Sequence, residues 1–433
     1  MATARSNPSA HLTAVISQVA LPAAAPAAVF LVLFHGAVAA AAAAALCLAL
    51  VVWPRPDVAQ LILLGLVPAM AAAGAGGTAL PAMVFGAVVL FLFRAALNGI
   101  RLRVDVFLIL LLVSTVTVSC LLPQETFPTE RPWKACALLL TGLGLLTCAI
   151  LVPPDPRRIA QVVTASGAGV AVYLLARGAY TSGRLTGLGL NPNYVGAGLA
   201  LFVVAGVGLV RFSRSWWWLV PAAVCAYALV ETRSRGAFVM AAAGLACVLL
   251  VGRPLRHKVL IACALLASVA LLPGSLDSLE GSLTGSRTAT ELTANTEVRK
   301  QAALLAVRVA LDHPLRGIGY AMFPDYARAS ASLGIYINTH NDYLRLAAEA
   351  GLVTLAALVV LLWLGLARRY TGYHIILQSL CVAYAVGLLF ANALADLFIS
   401  TPFWVSLGCL LARSAYRKPA ASLPSPRERR NAE

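Results

Sequence analysis

Ionisable side chains are scarce in this chain, and those able to do chemistry fall into a few short stretches. The run Asn338-Thr339-His340-Asn341-Asp342-Tyr343 stands where a long hydrophilic segment re-enters an apolar one, with Arg345, Glu349 and Gly351 following. Histidine takes up and returns a proton near neutral pH without a large pKa shift. At the mouth of a membrane helix, His340 would do so at the water–lipid boundary. The alternative is an interfacial residue at a helix start, satisfied by Asp342 or by water. Thr232-Arg233-Ser234-Arg235-Gly236-Ala237 opens another apolar segment. Guanidinium forks grip phosphate oxygens, and a helix N-terminus adds backbone N–H groups and a favourable dipole. Arg233 and Arg235 therefore suggest an anion site, against a snorkelling role at the interface.

Three further stretches complete the set. Arg184 precedes Asn191-Pro192-Asn193, a turn followed by a helix start whose asparagines read as caps. Glu297-Val298-Arg299 lies in the hydrophilic segment, ahead of Asp312-His313-Pro314-Leu315-Arg316-Gly317-Ile318-Gly319, where His313 reads as a helix C-terminal residue. Asp396 is an isolated carboxylate in apolar surroundings. It, Asp342 and Glu349 are the three candidates to orient His340.

These residues have to be positioned by a membrane protein. The chain is 60% hydrophobic and 12% charged, well below the quarter or so of charged residues in soluble domains. Its apolar runs are long enough to cross a hydrocarbon core of roughly 30 Å. The fold class expected is all-α: a polytopic bundle of about twelve, at most fourteen, spans. Candidate spans fall at 16–34, 37–53, 57–74, 79–97, 104–122, 134–152, 158–177, 190–211, 215–231, 235–252, 256–273, 344–367, 373–392 and 398–414. The chain thus divides into N-terminal spans (1–273), a large outer loop (274–343), C-terminal spans (344–414) and a basic tail (415–433). The first span looks retained rather than cleaved as a signal.

Arginines and lysines mark alternate turns: Arg55, Arg101, Arg103, Arg157, Arg158, Arg211, Arg214, Arg253, Arg256 and Lys258, then Arg368, Arg369 and the tail. That alternation follows the positive-inside rule and puts the long loop outside. The formal charge of +16 is mostly this topology signal, so nucleic acid is not an expected partner. Arg177, Arg184, Arg233 and Arg235, and in the long loop Arg287, Arg299, Lys300, Arg308, Arg316 and Arg328, fall on the outward side, where the rule does not call for them. Within the loop, 295–312 reads as an amphipathic helix capped by Asn295 or Thr296 and stopped by Pro314 and Gly317. Such a helix would lie against the bundle or the bilayer interface. A shorter helix is expected near 322–332. All nine cysteines sit in apolar segments, so neither a disulfide framework nor a CxxC metal site is present.

Taken together, the stretches resemble the O-antigen ligase family, within the wider superfamily of polyprenyl-linked glycan transferases. The resemblance rests on many spans, a large outer loop before the last of them, and four motifs. These are the NPN turn at Asn191 to Asn193, S-R-G-A at Ser234 to Ala237, H-P-L-x-G-x-G at His313 to Gly319, and H-N-x-x-L-x-x-x-x-E-x-G at His340 to Gly351. Each is short; their joint order and spacing carry the likeness.

The resemblance implies a glycosyltransferase in the inner membrane of a Gram-negative bacterium, working at the periplasmic face in lipopolysaccharide biosynthesis. Its donor would be a glycan on undecaprenyl pyrophosphate, and its acceptor a sugar hydroxyl of lipid A–core. His340 would be the general base, and Arg184, Arg235 and Arg299, with Arg233 in a lesser role, would hold the pyrophosphate. Asp342, Asp396, Glu349 and Asn193 would support them. No cofactor is expected. The outer carboxylates come singly and His340 lacks a second ligand pair, so a metal-independent reaction is expected. An O-antigen polymerase or a protein O-oligosaccharyltransferase would use the same donor. A transporter fits less well, because the polar set lies at one face rather than at the bilayer midplane.

Overall fold

A computed structural model of the chain describes residues 54–72, 79–97, 104–125, 127, 131–251 and 289–416. Helices dominate. In order they are α1 (Pro56–Ala72), α2 (Ala79–Leu97), α3 (Val104–Leu121), α4 (Arg131–Leu151), α5 (Pro156–Arg177), α6 (Pro192–Ser213), α7 (Leu219–Glu231) and α8 (Arg235–Leu250). After the long loop come α9 (Ala289–Asp312), α10 (Phe323–Ala329), α11 (Asp342–Ala350), α12 (Leu352–Leu366), α13 (His374–Gly387) and α14 (Leu397–Tyr416). Four of them (α3, α4 from Pro132 onward, α5 and α6) are long and apolar enough to cross a membrane, and seven shorter stretches are apolar as well. The chain is a helical, multi-pass membrane protein. The expected spans at 16–34, 37–53 and 256–273 lie outside the described residues.

Small residues let these helices meet closely, as expected where lipid removes the hydrophobic drive between them. A Cβ on Gly142 of α4 would stand 2.3 Å from the Trp404 indole of α14, and one on Gly198 of α6 equally close to the Phe398 ring. α8 packs along α13 and α6, so these three helices form a wall whose upper ends carry the polar stretches.

The structure corrects several sequence expectations. The span expected at 344–367 is two helices broken at Gly351, which adopts φ +89. Its first part, α11, is not apolar: it buries Asp342, Arg345 and Glu349. The loop helix begins at Ala289 rather than at a cap on Asn295 or Thr296, though it ends at Asp312 as expected. The shorter helix ends at Ala329. The span expected at 215–231 opens with a 3-10 turn, Trp216–Trp218, before α7.

A feature without sequence signal is the hairpin of β1 (Ala179–Thr181) and β2 (Arg184–Thr186). Its two-residue turn places Ser182 at φ +51 and Gly183 at φ +67, as a type I′ hairpin requires. Three-residue strands are too short to show a period of two.

The glycines of the H-P-L-x-G-x-G stretch now have a physical role. Ile318 and Gly319 donate their N–H groups to the carbonyls of Ala348 and Glu349, and the Leu352 N–H reaches Pro314 O. A Cβ on Gly317 would lie 2.3 Å from the Glu349 backbone, and its φ is +63. The loop backbone therefore lies directly on the helix break. From the other side, the Gln124 and Glu125 N–H groups both reach Ile318 O, and Ser119 Oγ donates to Glu349 O. Glu349 completes the clamp. Its carboxylate accepts from the N–H groups of Ala321 (2.8 Å) and Phe323 (3.1 Å) and from Arg345 Nε (2.9 Å).

Candidate active site

The upper ends of α6, α8 and α13, with α9, enclose a cleft of about 330 Å³. Arg184, Asn193, Arg233, Ser234, Arg235 and Arg299 supply its polar walls, and Met240, Phe390 and Ala391 are among its apolar ones. The four arginines expected to hold the pyrophosphate thus meet at one cavity, although more than a hundred residues separate Arg184 from Arg299; Arg177 and Arg316, also on outward turns, do not line it.

Local chemistry explains how each wall is held. Asn191 caps α6, its side-chain oxygen accepting from the N–H groups of Asn193 (2.9 Å) and Tyr194 (3.2 Å). That leaves Asn193 facing the hairpin, where its Oδ1 accepts from Arg184 (2.7 Å) and Ser234 Oγ (3.2 Å). Arg184 is further fixed by its Nε donating to Thr232 O at 3.0 Å. Ser234 caps α8 by accepting from the Ala237 N–H, so Arg235 and Gly236 stand in the first turn of that helix. Arg233 sits just before it with φ +48. The cleft therefore combines guanidinium groups with a helix N-terminus, the arrangement that binds anions.

His340 adjoins this cleft rather than lining it. It is half-buried and left-handed, with φ +52, an uncommon conformation for a residue other than glycine. Burial lowers its pKa to about 4, and the charge of Arg299 adds to the effect. Arg299 is thus shared: it forms part of the cleft wall and its field reaches the histidine.

The three carboxylates considered as orienters of His340 have other hydrogen-bond partners. Asp342 accepts from the Leu394 N–H (2.8 Å) and from Asn392 Nδ2 (3.3 Å). Glu349 clamps the loop, as above. Asp396 caps α14, accepting from the Phe398 and Ile399 N–H groups, and burial pushes its carboxyl up to about 6.

The residue that does hold His340 is Asn392, which sequence reasoning missed. Its Oδ1 accepts the His340 backbone N–H at 3.0 Å, and its Nδ2 reaches Thr339 Oγ1 and Asp342 Oδ1, both at 3.3 Å. Its carbonyl accepts from Tyr194 OH at 3.0 Å. One buried residue thereby ties together the histidine loop and the start of α11 through its side chain, and the NPN helix through its backbone carbonyl. The signal was faint: a single Asn in an apolar run (Phe390-Ala391-Asn392-Ala393-Leu394), with no spacing to relate it to position 340. Asn341, the residue after the histidine, caps α11 through bonds from the Tyr343 and Leu344 N–H groups. Among the described residues, no three metal-ligating side chains come together.

Residues 220–359 match a family model described as O-antigen ligase (Wzy_C). No curated protein matches the chain. The matched stretch contains Arg233, Arg235, Arg299, His340 and Glu349, while Arg184, Asn193, Asn392 and Asp396 lie outside it. The histidine and three of the four cleft arginines thus lie within the region that is similar to the O-antigen ligase family.

Proposed function

We propose that the chain moves a glycan from undecaprenyl pyrophosphate onto a sugar hydroxyl of lipid A–core, at the periplasmic face of a Gram-negative inner membrane. The observation that carries this reading is the four-arginine cleft at a helix N-terminus with a neutral histidine beside it. The acceptor oxygen attacks the anomeric carbon opposite the pyrophosphate, and the bond from that carbon to the pyrophosphate oxygen breaks with inversion. His340 takes the proton that the hydroxyl gives up. The leaving pyrophosphate needs charge stabilisation more than protonation, and Arg184, Arg233, Arg235 and Arg299 provide it. No step calls for a metal ion.

The coupling of His340 to Arg299 gives the donor a second effect. A base of pKa about 4 is weak at neutral pH, since the most effective base has a pKa near the working pH. A pyrophosphate bound against Arg299 offsets part of the field that depresses His340. Donor binding therefore strengthens the base.

Deleting the gene tests the reaction class. Core-only lipopolysaccharide, with polymerised glycan accumulating on the carrier lipid, is the expected outcome. Core bearing a single repeat would make the protein a polymerase, and unchanged lipopolysaccharide would remove both readings. In purified protein, Arg235→Ala and Arg299→Ala are expected to raise the KM for donor at least tenfold with little change for acceptor. Unchanged donor dependence would take the phosphate role from them. Asn392→Ala leaves the His340 N–H without its acceptor and frees a strained loop. It is expected to lower kcat by about 10²-fold with the donor KM nearly constant, since small misplacements of reacting groups cost that much. A rise in donor KM at constant kcat would show that Asn392 shapes the cleft instead.

A further inference from the structure

We propose that the outward face of α9 is a membrane seat, lodged among anionic lipid headgroups. One side of this helix is accounted for: Ala302, Leu305, Ala306, Val309 and Ala310 are buried, and the helix packs on α11. Successive residues step by 100° around a helix, so Leu304, Val307, Arg308 and Leu311 fall on the opposite side. There Leu304 is 60% exposed, Leu311 67%, and Leu315 in the following turn 71%. A water-facing helix surface would carry polar residues at these positions.

The stripe continues onto the exposed apolar side of α12. The Leu352 N–H bonds Pro314 O, and a Cβ on Gly351 would touch the Leu315 backbone, so the stripe meets the first turn of α12. Leu352 and Val353 are exposed there, and Val359, Val360 and Trp363 extend the same exposed side along α12. A helix so uniformly apolar on its outer side faces lipid. The exposed apolar side of α12 therefore meets that of α9 at Leu315.

Charge identifies the occupant. Lys300, Arg308 and Arg316 are exposed along the stripe, and the neighbouring acids are Glu297, paired with Lys300 at 3.9 Å, and Asp312. An apolar stripe with a basic rim is the pattern of a helix lying in the interface of an anionic membrane. Arg299, one turn before Ala302 on the side of α9 turned to the protein, lines the cleft. The seat thus fixes Arg299 at headgroup depth, the level of the pyrophosphate on a lipid carrier. That last consequence rests on the proposed function; the seat itself does not.

The test places a single cysteine by Leu311→Cys, or by Ser332→Cys as a water-facing reference, in the full chain with its native cysteines replaced by alanine. Each is labelled with an environment-sensitive fluorophore and reconstituted in nanodiscs of phosphatidylethanolamine and phosphatidylglycerol. Lipids spin-labelled near the headgroup end of the acyl chain are expected to quench the Leu311 site several-fold more than the Ser332 site. Arg308→Gln with Arg316→Gln is expected to reduce that quenching in anionic discs and not in phosphatidylcholine discs. Equal quenching at the two sites would overturn the seat, as would disulfide-linked pairs of Leu311→Cys chains shielded from lipid, which would make the face a contact between copies. Should the cysteine-free chain fail to fold, Leu311→Trp in the native chain, read with brominated phosphatidylglycerol against the unsubstituted protein, decides between the same outcomes.

Discussion

Replacing His340 with alanine is expected to lower glycan transfer by about 10²- to 10⁴-fold, the usual contribution of a positioned base, with the protein still present in the membrane. The backbone bond from His340 N–H to Asn392 does not depend on the imidazole, so the loop should keep its shape and donor binding should persist. The pH profile separates a base from a merely packed histidine. In the free protein His340 titrates near 4, far below its ordinary range, because burial and Arg299 both penalise the imidazolium. Only the neutral form can accept a proton. kcat/KM should therefore rise through pH 4 and stay flat above it. The limb in kcat, which reports the donor complex, should lie higher, because bound pyrophosphate counters Arg299. Arg299→Gln should also raise the kcat/KM limb, but not to the ordinary value of about 6.5, since burial is the larger cause. An acid limb that persists unchanged in His340→Ala would belong to another group and remove the assignment.

How much of this was legible in the sequence follows from the range of the interactions involved. Local signals served well. Asn191-Pro192 opens α6, Asp312 closes α9, and the apolar runs between 57 and 252 became helices close to where hydropathy placed them. The arginines could be singled out because each stood on a turn where insertion bias gave no reason for it, and the structure brings four of them to one cleft. What failed were inferences of partnership. Asp342 is two residues from His340, yet α11 turns its carboxylate toward Leu394. Hydropathy also ran α11 into α12, because a buried Arg345–Glu349 pair inside an ordinary-length segment looks like interfacial polarity. Asn392 became visible only when the end of α13 was folded against the histidine loop.

The second large effect expected is on stability. Glu349→Ala removes three bonds at once: it takes the acceptor from the buried N–H of Phe323 and the half-buried N–H of Ala321, and the nearer carboxylate from Arg345, whose side chain is 10% exposed. Removing one member of a buried, hydrogen-bonded ion pair typically costs about 3–5 kcal/mol, and each unsatisfied buried N–H adds roughly 1–3 kcal/mol. Asp342 stands 3.6 Å from Arg345 and gives partial relief. Glu349→Gln keeps one acceptor oxygen for the loop while losing the charge, so it should be destabilised less than Glu349→Ala. Thermal unfolding of the purified proteins in one detergent, read by intrinsic fluorescence, should rank them wild type, Gln, Ala in falling order. If Glu349→Ala unfolded like wild type but lost transfer, the carboxylate would be part of the chemistry. If it lost both, with transfer recovering in step with stability in Glu349→Gln, its role is to hold the loop on the helix break. The geometry favours the second result, because both carboxylate oxygens already accept hydrogen bonds within the clamp.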